Sequence, residues 1–216
     1  NAIYGIPPEP KKLQGNFYLD TKWNKASILL YRNEELIEGY FVRYNINSNT
    51  FELRSENSEE ATTVPGLRVR NIVWIDSEHG VPRYFINGMD FKEEGSPIAG
   101  FFEVLVDGKM PLVRRTIASI KESNYNQALM VGEPDDRVVK RYVYYYVEGK
   151  NIIEVPSNKK KLFPIFGESQ AEMEAFADTN RLNLKEASSL FSLFTQYNSK
   201  FEGFDPLLPK LIDNQP

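Results

Sequence analysis

The stretch AGFFEVLVDGKMPLVRR, residues 99–115, decides how this chain is to be read. Phe102, Val104 and Val106 share one face at the two-residue period of a strand. Asp107-Gly108 follows, a pair suited to a type I′ turn because both positions tolerate positive φ. The chain then returns through apolar residues, so the segment predicts a β-hairpin. A related segment, RYVYYYVEGKNIIEV at 141–155, lies 41 positions further on, with Glu148-Gly149 at its tip. Both tips read Val-acid-Gly-Lys, Val106 to Lys109 and Val147 to Lys150. Two four-residue copies are recurring turn chemistry rather than a repeat.

Toward the N-terminus the strand pattern continues to about Asn16. Ser27 to Arg32, Glu35 to Ile46 and Thr50 to Arg54 form three runs broken at Asn33-Glu34 and at Asn47-Ser48-Asn49, where Asn accepts positive φ. Leu67 to Asp76 alternates Leu67, Val69, Asn71, Val73 and Ile75 against Arg68, Arg70, Ile72 and Trp74. Pro82 to Ile86 reads as its return strand. Toward the C-terminus the period changes after Pro156. Ser169-x-x-Glu172 has the form of a capping box, and Met173, Phe176 and Ala177 fall on one helical face. Asn183-x-x-Glu186 repeats the arrangement ahead of a stripe of Leu190, Phe194, Tyr197 and Phe201. Lys159 to Phe163 predicts a shorter helix limited by Pro164.

The expected fold class is α+β: a mostly antiparallel meander and hairpin body of about ten strands, with two to three C-terminal helices covering the sheet. The expected divisions are an extended lead-in at 1–15, the β-rich body at 16–156, a helical segment at 157–203 and an extended tail at 204–216, folding together as one cooperative domain. Hydrophobic residues at 41% and charged residues at 26% are ordinary for a globular protein. The net charge of −4 argues against a nucleic-acid binder, which must replace phosphate counterions. No apolar run reaches the roughly 20 residues of a membrane-spanning helix.

Chemistry is sparsely signposted. The chain has no cysteine and one histidine, His79, so common nucleophilic and transition-metal arrangements lack their side chains. No Walker loop, dinucleotide fingerprint, nucleophile elbow or S-x-x-K motif occurs. No cofactor and no metal is expected, and no catalytic residue is assigned. His79, in Asp76-Ser-Glu-His79-Gly80, reads as part of a polar turn. The expected binding residues are Tyr142, Tyr144 and Tyr146, which project from one face of a strand, and Tyr125 in Asn124-Tyr125-Asn126; rows of tyrosines stack sugars or dock peptides. The competing reading puts one strand face in the core and the other under the helices.

The hairpin ending in Val106 to Lys109, the run N-Y-N-x-A-L-x-V-G from Asn124 to Gly132, the Tyr-rich strand Val139 to Tyr146, Lys159 to Leu162 and the closing Tyr197 to Ser199 together resemble an uncharacterised family of exported bacterial proteins. The resemblance covers Gly100 to Lys200, with a looser match at Glu35 to Leu53. It implies export and carries no assigned activity. Export also fits a chain that starts at Asn1 with a Pro- and Gly-rich lead-in, as does a trimmed chain. The expected function is a non-catalytic, exported or envelope-associated protein that binds a protein or glycan partner. The alternatives are a carboxylate-dependent hydrolase of polysaccharide, drawing on Asp76, Glu78, Glu93, Glu94, Asp135 and Asp136, and a carrier of an apolar ligand, which requires a cavity of a few hundred Å³.

Overall fold

A computed structural model describes residues 12–126 and 128–207. The lead-in contributes β1 (Leu13–Gln14); its residues 1–11, and the tail beyond Leu207, lie outside the described residues. A meander follows, of β2 (Asn24–Leu30), β3 (Leu36–Asn45), β4 (Thr50–Arg54) and β5 (Thr62–Pro65), after which β6 (Val69–Ile75) returns to pair with β2 and β7 (Pro82–Asn87) pairs with β6. The short strands β8 (Lys92–Glu93) and β9 (Ser96–Pro97) lead to the hairpin of β10 (Phe101–Val106) and β11 (Leu112–Lys121). The last hairpin is β12 (Asp136–Glu148) with β13 (Asn151–Glu154).

All thirteen strands join one sheet in the order β5-β4-β3-β2-β6-β7-β10-β11-β12-β13-β8-β9, with β1 beside β12. Pairing is antiparallel except where β13 meets β8 and β1 meets β12. The α+β class with a mostly antiparallel sheet is what the chain forms. The strand number is thirteen rather than about ten. Strands β1, β5, β8 and β9 are two to four residues long, too short to leave a period in the sequence.

The turn chemistry holds in part. Asn33, Glu34 and Asn49 take positive φ of 57°, 50° and 50° at the predicted breaks. The tip at Gly149-Lys150 is a two-residue turn closed by the pair Glu148–Asn151, with Gly149 at φ 58°. The tip at Asp107-Gly108 is not a two-residue turn. Val106 pairs with Leu112, so Asp107 to Pro111 form a five-residue loop. Pro111 has no N–H for the ladder, and the loop's backbone is bonded instead to a buried side chain of the last helix, Asn198.

Alternation puts two cores on opposite sides of the sheet. In β6, Ile72 and Trp74 join Tyr44, Phe51, Phe85 and Phe101 in one cluster. Val73 joins Phe102, Val113, Val143 and Tyr145 in the other. The ring centroids of Phe51 and Phe101 stand 4.9 Å apart, and those of Tyr44 and Phe101 5.2 Å, although β4 and β10 are distant in the sheet order. The sheet therefore curls. The lead-in spans the curl, pairing with β12 at Leu13–Asp136 and bridging to β3 at Tyr18–Asn45.

A third cluster lies where α1 (Lys159–Leu162), α2 (Gln170–Thr179) and α3 (Ala187–Asn198) meet the hairpins. Leu162, Phe166, Met173, Leu190, Phe194 and Tyr197 pack on Val106, Met110, Leu112 and Tyr146. The first α-helix ends at Leu162, ahead of Pro164 as expected, and the chain continues through a 3₁₀ stretch, Phe163–Ser169, broken at Gly167, into α2. The capping box does not form. Ser169 makes no cap bond, and Lys200 takes both of its intended members, donating to Ser169 Oγ at 3.1 Å and pairing with Glu172. Asn183 likewise folds a turn ahead of α3, donating to Glu186 Oε1 at 2.8 Å, and Glu186 occupies the cap position. Among the described residues no helix is long and apolar enough to cross a membrane.

Candidate functional site

The tyrosines of β12 do not form a continuous open plate. Tyr146 is 7% exposed and packs with the helices, and burial raises its hydroxyl pKa. Tyr144 is half-buried against the same cluster. Tyr142 is 53% exposed, with the Arg114 guanidinium 4.3 Å from its ring centre. Tyr125 is exposed on a separate loop. The opposite face of β12, with Val143, Tyr145 and Val147, is core.

Beside Tyr142 stands a charged cluster that the sequence reading did not single out. Glu103 is buried in β10, paired across the ladder with Arg114 of β11. Arg83 of β7 donates through Nε to Oε1 at 2.9 Å and through Nη2 to Oε2 at 3.0 Å, and Arg114 Nε donates to Oε2 at 2.7 Å. Burial pushes the Glu103 carboxyl upward, but the hydrogen bonds and charges of Arg83 and then Arg114 outweigh it and hold the carboxyl below its ordinary range. The signal available was an acid in the middle of the apolar run Phe101 to Val106.

Four of the candidate acids, Asp76, Glu78, Asp135 and Asp136, serve local structure. Asp76 accepts the backbone N–H groups of Glu78 and His79, each at 2.9 Å, and lies 3.1 Å from His79 Nδ1. The bond from the His79 N–H leads in lowering its pKa. Glu78 pairs with Lys22. Asp135 accepts from Gln14 Nε2 at 2.7 Å, and Asp136 accepts from the Ser123 N–H at 2.7 Å. Among the described residues no three His, Asp or Glu side chains gather as metal ligands would.

The structure also holds a cavity of about 580 Å³, and the two Val-acid-Gly-Lys tips meet at its edge. Buried Leu29, Ile86, Phe91 and Val147 form an apolar floor, and Phe204 to Leu207 form one wall. Lys109 and Lys150 stand on the rim with Arg70, Glu34, Asp90 and Asp205. The tips are tied together by the Val147 N–H, which donates to the Pro111 carbonyl at 3.1 Å. Asp107 fixes the wall, accepting the Leu207 N–H at 3.0 Å. Burial raises the Asp107 carboxyl, in part offset by the N–H groups of Gly108 and Leu207.

Asn71 of β6 faces this cavity. The other buried asparagines are all bonded. Asn24 accepts the Ser77 N–H at 2.9 Å and donates to Asp20 Oδ2 at 3.1 Å. Asn87 donates to the Gly66 and Val69 carbonyls at 3.0 and 2.8 Å and accepts the Met89 N–H at 3.0 Å. Asn198 is bonded to both backbone groups of Met110. Asn71 is 7% exposed, and its amide has no hydrogen-bond partner among the described residues. Its trace in the sequence is one polar residue in the alternation Val69, Asn71, Val73. No family model, no curated protein and no solved structure matches this chain.

Proposed function

We propose that this chain is a non-catalytic, exported binding protein that holds a small ligand with an apolar body in the cavity between the hairpin tips and the C-terminal segment. One observation carries the reading: Asn71 lies beside apolar side chains at the cavity and its amide has no protein partner among the described residues. The chain bonds its other buried asparagines to protein groups, whereas the Asn71 amide is open to the cavity and is not among the closed-off polar atoms. An amide so placed serves a ligand that brings its own donor or acceptor. The volume of about 580 Å³ falls within the range of small-molecule sites, as does an apolar lining with a few polar groups. This favours the alternative of a carrier of an apolar ligand over docking on the tyrosine strand, whose ring at Tyr146 lies beneath helices.

The test is fluorescence titration with N-phenyl-naphthylamine, a neutral apolar dye. Saturable binding that is lost in Asn71→Phe, a substitution that fills the cavity, supports the reading if the variant retains its cooperative unfolding. Absence of saturable binding, or binding unchanged in the variant, overturns it. Export rests on the family resemblance. Recovery of the protein from the periplasm or envelope supports it, and recovery from the cytosol overturns it.

A further inference from the structure

The β11–β12 hairpin ends in an apolar tip. Its ladder closes with the pair Lys121–Arg137, and beyond it the two arms meet again at the bridge Asn126–Val131. At the turn stand the two most exposed large apolar side chains among the described residues, Leu129 at 68% and Met130 at 79%. Val131 follows on the returning arm at 56%. Three consecutive large apolar residues held in water are a fault in a sequence unless they serve a contact. The N–H groups of the loop are meanwhile bonded within the loop. Asn126 Oδ1 accepts those of Ala128 and Leu129 at 3.0 and 3.1 Å, and Asn124 Oδ1 accepts that of Glu133 at 2.8 Å. The Val131 carbonyl accepts that of Asn126 at 2.8 Å. The arms lie close together: at Gly132, whose φ is 102°, a Cβ would stand 2.6 Å from the Asn124 carbonyl oxygen.

We propose that this tip seats in the surface of a neutral phospholipid bilayer, with Leu129, Met130 and Val131 entering the edge of the hydrocarbon. Polarity falls in order along the hairpin. The pair Glu133–Arg137, 3.1 Å apart, lies at the base, exposed Asn124 and Tyr125 come next, and the apolar turn is last. Water, headgroup and hydrocarbon follow one another in the same order, with tyrosine at the headgroup level. Hydrocarbon offers an N–H no acceptor, so a segment that enters it must bond its N–H groups internally, a demand that water does not make. Protein partners are held by aromatic and arginine anchors with directional bonds at the rim, whereas this turn presents aliphatic side chains. Residues 121–137 hold two cations, Lys121 and Arg137, against four acids, so nothing draws the loop to anionic headgroups. Seating rests on apolar transfer alone. The tip is at the opposite end of β11 and β12 from the cavity, so the two sites are independent.

The experiment is co-flotation with dioleoyl-phosphatidylcholine vesicles at low and high salt, for the native chain and for the double variant Leu129→Ser, Met130→Ser. The native chain is expected to float with the vesicles equally at both salt concentrations. The double variant is expected to partition at least about tenfold less, with its unfolding transition unchanged. In a second measurement Met130→Trp is expected to be quenched by brominated phosphatidylcholine beyond the quenching of Trp23 and Trp74 in the native chain. Asn71→Phe, which fills the cavity, is expected to float like the native chain. If the native chain does not float, if flotation survives the double substitution, or if the new tryptophan is not quenched, the proposal is overturned. It is also overturned if Asn71→Phe abolishes flotation, which would place the lipid in the cavity. If the chain ignores vesicles and forms a dimer that the double variant abolishes, the tip is a protein contact and the bilayer assignment falls.

Discussion

Asn198 and Asn71 are almost equally buried, 6% and 7% exposed, yet their surroundings are opposite. Asn198 ends the last helix against the β10–β11 loop. Its Oδ1 accepts the Met110 N–H at 2.9 Å, and its Nδ2 donates to the carbonyls of Met110 and Phe194 at 2.8 and 2.9 Å. Packing around it is tight enough that a Cβ on Gly108 would sit 2.4 Å from Asn198 Oδ1. Asn71 lies in mid-strand at the cavity with no partner among the described residues. The same side chain thus joins two elements in one region and is left available in the other. The difference lies in the neighbours: a loop whose backbone needs partners in the first case, an apolar hollow in the second.

The comparison is sharpened most by the polar group that is bonded most fully. Glu103 shares one buried carboxylate between two arginines. Glu103→Ala leaves both guanidiniums without a counterion and is expected to destabilise the chain by about 3–5 kcal/mol, read by urea unfolding. The pH dependence has a definite sign. Because the folded carboxyl sits below its ordinary value of 4.5, its contribution is full above that value and is lost as pH falls through the depressed one. The stability gap between the native chain and Glu103→Gln is therefore expected to be flat above pH 4.5 and to close on acidification. A gap that widened on acidification would contradict the assignment.

Asn198→Ala comes next. It strands the Met110 N–H and carbonyl in a closed region, and a loss of about 2–3 kcal/mol is expected from the unpaired groups, seen as a lower thermal midpoint. A loss below about 0.5 kcal/mol, the range of ordinary surface changes, would show that the helix does not hold the loop.

Periodic features could be read from the sequence, and long-range ones could not. Strands such as β3 and β4 announced themselves by alternation, and the stripe from Leu190 to Phe201 by helical spacing, because each pattern is local. Strands β8 and β9 are two residues each and exist only because β13 offers an edge. The Ser169-x-x-Glu172 capping box was legible as a pattern and failed because Lys200, distant in sequence, bonds to both of its members. The paired Val-acid-Gly-Lys tips were visible, but their meeting at one cavity depends on the order of strands β10 to β13. Glu103 and Asn71 were each visible as a polar residue in an apolar run. Nothing local distinguishes the one that finds partners from the one that does not.

That distinction is what the smallest expected effect addresses. If the Asn71 amide serves no internal bond, Asn71→Leu removes a group the fold does not use and adds apolar surface where the floor is already apolar. The ligand-free chain should then be unchanged or more stable by up to about 1 kcal/mol, whereas loss of a made hydrogen bond would lower stability by about that amount or more. The substitution should also tighten N-phenyl-naphthylamine, which offers the amide little, and the two changes should appear together. A clear destabilisation would mean that Asn71 behaves like Asn198, as part of the scaffold, and the contrast between the two regions would collapse. Stability held with dye binding strengthened would leave Asn71 as a residue kept for what enters the cavity.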